Sequence, residues 1–269
     1  MELFESILAV EPDVDTYFEC LAALYKRRLK YAKILQYQPI PTMSQVGPRG
    51  LLQYGVLSDK ALVTLLFWRK WFFDIDNRAG QETGYIFEPI VARCIGGQSI
   101  SASKSPVRRT SDVNKGRQVD CIVGNDAYEI KLRITIAASG QGRWGEEKTF
   151  PEDCKNSGFR PILLVFDGTQ ANKLDELTAI FIKCGGEVKT GEGAWAHLES
   201  MAGPAISVFL EKYVKEPLKN LLESAPSRED LPSLSLHQTD TTIQIVIGDE
   251  AVTINRPMKE EDIISDEGN

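Results

Sequence analysis

The chain has 269 residues, 42% of them hydrophobic and 26% charged, enough apolar content to bury a sizeable core and too much for extensive disorder. Its 38 acidic and 31 basic side chains leave a net charge of −7, which excludes a protein that coats nucleic acid by bulk electrostatics, because such binding rests on Lys and Arg neutralising phosphates. An enzyme that gathers positive charge in one cleft is not excluded.

Residues 14–36 have helical spacing, with Tyr17, Leu21, Leu24 and Tyr25 on one stripe and Lys26, Arg27, Arg28, Lys30 and Lys33 clustered late. Those basic residues read either as a solvated helix end that complements the macrodipole or as phosphate contacts. Residues 38–55 contain Pro39, Pro41, Gly47, Pro48 and Gly50 and read as a long loop. Residues 58–73, with Leu62, Leu65, Leu66, Trp68, Trp71 and Phe72, read as a core or interface helix. A second helix is expected over 81–95, stopped by Gly96-Gly97, and a short strand around 98–102. Residues 103–116 form a polar, basic loop.

Residues 117–123 and 127–135 alternate in polarity around Gly124-Asn125-Asp126, the pattern of a β-hairpin. A polar, partly helical stretch follows over 139–158, then a buried strand over 160–167; strand, helix and strand in that order imply a parallel crossover. An amphipathic helix over 172–184, an edge strand over 187–190, a mostly helical stretch over 205–224 and a second hairpin over 241–254 complete the reading, ahead of an acidic tail over 259–269. The elements describe an α/β protein with a central mixed sheet flanked by helices. Three regions are expected in one compact unit: 1–80, 81–202 and 203–269.

The five cysteines, Cys20, Cys94, Cys121, Cys154 and Cys184, are widely spaced and lack a C-x-x-C pair, so neither a disulfide framework nor a zinc site is expected. With an acidic N-terminal stretch and no apolar run of membrane-spanning length, the expected location is the cytoplasm. His197 and His237 have no companion at a recognisable motif, and no P-loop, dinucleotide fingerprint or HExxH run is present.

The chemistry concentrates in the first hairpin. Alternation puts Gln118, Asp120 and Ile122 on one face of its first strand and Val119, Cys121 and Val123 on the other. In the second strand Glu129, Lys131 and Arg133 oppose Tyr128, Ile130, Leu132 and Ile134. A tight turn can bring Asp120 beside Glu129 and Lys131. Two carboxylates suit hard Mg²⁺, which keeps several waters and takes phosphate oxygen into the rest of its shell, and the adjacent ammonium can orient water or meet developing negative charge. Other acid-x-Lys pairs, Glu146 with Lys148, Asp153 with Lys155 and Glu187 with Lys189, lack a hairpin partner. A solvent-facing hairpin with an ordinary Glu and Lys pair is the bland alternative.

Asp120, eight intervening residues and Glu129-Ile130-Lys131 resemble the PD-(D/E)xK motif of restriction endonuclease-like nucleases, with Val119 where Pro is often found. The order of elements from Gln81 to Asp167 is similar to that family's core, and a more particular likeness is to the ApaLI-like group. The resemblance implies a restriction endonuclease-like core and Mg²⁺-dependent hydrolysis of double-stranded DNA at a short sequence, with Mn²⁺ able to substitute. Asp120 and Glu129 would be metal ligands and Lys131 the group that positions or activates water. The helix before the hairpin often adds an acid, for which Glu88 is the better candidate and Glu82 the weaker. Homodimers are common among such enzymes, because a twofold protein matches a palindromic site.

Candidate DNA contacts are Lys104, Arg108, Arg109, Lys115 and Arg117 in the basic loop, which would meet phosphates. Gln141 and Arg143, just after the catalytic strand, can pair with base edges or lie on a capped surface helix. Arg133 would touch the scissile phosphate or pair with a carboxylate. Two other functions compete: a structure-specific repair or recombination nuclease of the same fold, and a non-catalytic DNA-binding or protein-interaction module.

Overall fold

The computed structural model describes residues 5, 13–53, 57–132, 141–168, 172–227 and 229–256. Arg133 and the acidic tail lie outside them, as do the side chains of Gln141 and Arg143. Two compact units form, Met1–Leu24 with Gly84–Lys219 and Tyr25–Thr83 with Asn220–Asn269. Helices α1 (Asp13–Tyr37) and α3 (Asp59–Cys94) contribute residues to both.

The first unit is built on a five-stranded mixed sheet, in the order β1 (Gln98–Ile100), β4 (Val119–Val123), β5 (Asp126–Lys131), β6 (Arg160–Val165) and β7 (Glu187–Thr190). The expected hairpin is β4 and β5, antiparallel, with Cys121 opposite Tyr128 and Val123 opposite Asp126. Its two-residue turn starts with Gly124 at φ 56°, a left-handed conformation that costs glycine nothing. From β5 the chain crosses through α4 (Gln141–Asn156) to β6, which runs parallel to β5 with Asp126 opposite Arg160 and Lys131 opposite Val165. Arg160 donates to both Asp126 oxygens at 2.7 Å, so a forked ion pair fixes that register. Helix α5 (Asn172–Lys183) then leads to β7, also parallel, and the crossover and edge strand read from the sequence are both present.

Apolar residues cover both sheet faces. Cys121, Tyr128, Ile130, Ile162 and Leu164 pack against Phe87, Ile90 and Val91 of α3, Leu198 of α6 (Glu192–Met201) and Phe209 of α7 (Pro204–Leu210). On the other face Val119, Ala127, Leu163 and Val165 meet Phe150 and Cys154 of α4 and Leu177 and Phe181 of α5. The basic loop is not featureless: β2 (Arg108–Arg109) and β3 (Asp112–Gly116) pair as a small hairpin.

Three expectations are corrected outside that sheet. Residues 38–55 hold a helix, α2 (Met43–Gln53), whose start carries half of a capping box: Gln45 Oε1 accepts the Thr42 amide at 2.8 Å, while the Thr42 backbone carbonyl accepts the Gln45 amide at 3.1 Å. The two helices expected over 58–73 and 81–95 are one 36-residue helix, α3, with Pro89 inside it. Its Trp71 is fully buried against Ile75, Ile243 and Ile254, with Trp68 edge-on to it at 5.6 Å. Trp71 is therefore a core residue of the second unit. β8 (Leu234–Gln238) joins β9 (Thr242–Ile247) and β10 (Glu250–Asn255) in a three-stranded antiparallel sheet, one strand more than the expected hairpin. Among the described residues no helix is long and apolar enough to cross a membrane.

Candidate active site

The first strand of the hairpin departs from simple alternation, and the departure falls at Asp120. Across the β1 and β4 pair Gln98 stands opposite Ile122 and Ile100 opposite Val119, so β4 spends one extra residue between those positions. Such a bulge re-aims a side chain. Val119 therefore packs with Ala127 and Leu163 on one face while Cys121, two residues on, packs with Tyr128 and Ile130 on the other. Between them Asp120 turns its carboxylate to the end of β5, where Oδ2 accepts the Ile130 amide at 2.8 Å, and its carbonyl accepts Ser99 Oγ at 2.8 Å. Continuing the hairpin register by one step sets Asp120 opposite Glu129. β5 alternates as expected, with Tyr128, Ile130 and Leu132 in the core and Glu129 and Lys131 on the opposite face.

Lys131 Nζ lies 3.1 Å from Glu129 Oε1 and 3.0 Å from Glu147 Oε1. Glu147 was not among the residues singled out in the sequence. It comes from α4, its side chain is 13% exposed, and Oε2 is buried without a hydrogen-bond partner. The signal that marks it is its place on the helix: Trp144, Glu147, Phe150 and Cys154 share one face, and an acid on an apolar stripe needs a partner to be tolerated.

Burial holds the Asp120 carboxyl well above the usual carboxylate range, and the charges of Glu129 and Glu88 push it further; the Ile130 amide and Lys131 pull less strongly the other way. Glu88, on α3, thus stands within electrostatic reach of Asp120. Burial disfavours the Lys131 ammonium, but Glu129 and Glu147 together outweigh it and raise its pKa above the ordinary lysine value. Lys131 is therefore a fixed cation and hydrogen-bond donor, suited to orienting water or meeting negative charge, and unsuited to accepting a proton.

Repulsion of the Asp120 carboxylate by Glu129 and Glu88, opposed by Lys131, is the condition under which a divalent cation lowers the energy of a site. Among the described residues no three acidic, His or Cys side chains close around one point, so the donors make no all-protein cage. They fit Mg²⁺, which takes one or two carboxylates and keeps waters. The same repulsion predicts a stability inversion. Because the folded pKa of Asp120 lies above its unfolded value, the cation-free protein loses stability as pH rises from the ordinary carboxylate range through the folded pKa. Asp120→Asn removes the charge and keeps an acceptor for Ile130. In chelator, the variant is expected to melt a few degrees above the wild type at about pH 8, at about 2–4 °C per kcal/mol. The gap should close near about pH 4, the ordinary carboxyl value, and reverse in millimolar Mg²⁺; differential scanning fluorimetry reads all three.

The basic loop divides. Arg117 is buried and binds Glu146 Oε2 at 2.9 Å, Asp153 Oδ2 at 3.2 Å and the Glu146 carbonyl, while Arg109 donates to both Glu146 oxygens at 2.9 and 2.7 Å. These two arginines fasten the loop to α4, a role that occupies the groups expected to meet phosphate. Lys104 and Arg108 are exposed, and exposed Lys115 pairs with Asp112. Glu82 lies within the second unit, bound by Arg27 and Lys30 at 2.5 Å each, so its charge is neutralised there.

The family model for ApaLI-like restriction endonucleases matches residues 2–215 of this chain. The type II restriction enzyme ApaLI of Acetobacter pasteurianus is 50% identical to it over 227 residues, which make up 82% of this chain and 60% of that protein.

Proposed function

The chain belongs to the ApaLI-like restriction endonuclease family, and on that premise we propose that it is a type II restriction endonuclease, hydrolysing phosphodiester bonds of double-stranded DNA at a short specific sequence with Mg²⁺, or Mn²⁺ in its place. The observation that carries the reading is the convergence of the Asp120 and Glu129 carboxylates with the Lys131 ammonium at one end of the hairpin. Asp120 and Glu129 would hold the cation, with Glu88 as a further acid. When bound, the cation polarises the scissile phosphate and lowers the pKa of the attacking water. Lys131, charged and held by two carboxylates, donates a hydrogen bond to that water or to a phosphate oxygen. Exposed Lys104, Arg108 and Lys115 would meet phosphates outside the cut, and Arg133, Gln141 and Arg143 are proposed contacts near it. A homodimer matching a palindromic site, working in the cytoplasm, belongs to the same reading.

Incubation of plasmid DNA with the purified protein and Mg²⁺ tests the proposal. Discrete fragments that disappear with chelator are expected. Structure-dependent nicking would instead make it a repair or recombination nuclease of the same fold, and binding by folded protein without cleavage would make it a non-catalytic module.

A further inference from the structure

The least explained atom of the first unit is Glu147 Oε2, a buried carboxylate oxygen without a hydrogen-bond partner at the edge of the proposed centre. A buried acceptor left unpaired is costly and rare, and here it belongs to a side chain whose other oxygen grips Lys131 at 3.0 Å. Lys131 has three N–H donors; Glu129 and Glu147 take two of them at nearly equal distance. Were Glu129 its sole acidic partner, the ammonium would neutralise that carboxylate and compete with any cation for it. Shared with Glu147, it leaves Glu129 more of its charge.

The position of Glu147 is itself built. Its neighbour Glu146 is clamped by Arg109 and Arg117, Arg117 also binds Asp153, and Asp153 accepts the Thr110 amide at 2.6 Å. The loop before the hairpin thus holds α4 at its second turn, through Glu146, and at its last, through Asp153, and α4 carries the residue that holds Lys131.

From this geometry we infer that Glu147 is a positioning residue of the centre: it shares the Lys131 ammonium so that Glu129 stays available to a divalent cation and the third N–H of Lys131 stays available to substrate. The inference rests on the function proposed above.

The Glu147→Gln variant, nearly isosteric, tests it with two readouts. Calorimetric titration of the DNA-free protein with Mn²⁺ is expected to show about 10-fold weaker binding, and the single-turnover cleavage rate is expected to fall by about 10- to 100-fold, the range seen when a group that orients a metal ligand is removed. DNA affinity measured in chelator, without any divalent cation, should be unchanged. Glu147→Asp keeps the charge but shortens the reach, and is expected to bind Mn²⁺ more tightly than the Gln variant while still cleaving more slowly than the wild type. Wild-type Mn²⁺ affinity and wild-type cleavage in either folded variant would overturn the assignment. A wild-type protein that binds Mn²⁺ but cuts no DNA would refute the proposed function alone, because the titration still decides Glu147.

Discussion

Lys131→Ala is expected to slow DNA cleavage by about 100- to 1,000-fold, the loss seen when one preorganised donor to developing charge is removed from a water-poor site. Two features make the effect large. The ammonium is held by two carboxylates at 3.0 and 3.1 Å, so it is positioned before substrate arrives and needs no reorganisation. It is also permanently charged, since Glu129 and Glu147 more than offset the penalty of burial. Removing it leaves those two carboxylates facing each other, so cation binding should survive or tighten while the rate collapses. That split between binding and rate, measured by single-turnover cleavage beside Mn²⁺ titration, separates a lost donor from a damaged fold. Asp120→Ala should show no such split, losing cation affinity and rate together.

Arg117→Ala is expected to cost about 3–5 kcal/mol of stability, as breaking a buried ion pair from one side does. Arg117 is 6% exposed and serves Glu146 and Asp153, and Asp153 is itself only 2% exposed. Without the guanidinium Asp153 becomes an uncompensated buried charge, and the tie between the loop and α4 is lost. Exposed Arg108, nine residues earlier, should be nearly neutral when changed to Ala, within about 0.5 kcal/mol. Urea denaturation of the two variants tests the contrast; equal small losses would mean that Arg117 is a surface cation after all.

The hairpin was legible because everything it needs is local: two alternating segments, a Gly-Asn turn and acids at fixed spacing. The crossover to β6 was legible for the same reason, since the five apolar residues after Arg160, following a polar helix, read as a buried strand. What the sequence obscured depends on distant partners. Pro48 and Gly50 argued for a loop, yet the Thr42-x-x-Gln45 half-box starts a helix there, and Gly50 lies so close to Leu66 that a Cβ would meet its side chain at 2.2 Å. The polar stretch between the segments 58–73 and 81–95 hid their continuity, and both apolar stripes lie on the single helix α3.

The site shows the same division. Asp120, Glu129 and Lys131 follow from the hairpin, although the bulge that aims Asp120 does not, because alternation alone puts Val119 and Cys121 on one face and the structure separates them. Glu147 required knowing which face of α4 turns inward. The basic loop was ambiguous for a physical reason: positive charge near the hairpin looks the same in sequence whether it waits for phosphate or pairs with Glu146 and Asp153, and Arg109 and Arg117 make such pairs.

The most direct test of the central claim is sequencing of the ends made when the folded protein acts with Mg²⁺ on a large unmethylated DNA, run beside Lys131→Ala. Ends that all fall at one short sequence, absent in chelator and scarce with the variant, are the predicted result. Ends scattered without a common sequence, or equal cutting by Lys131→Ala, would contradict it.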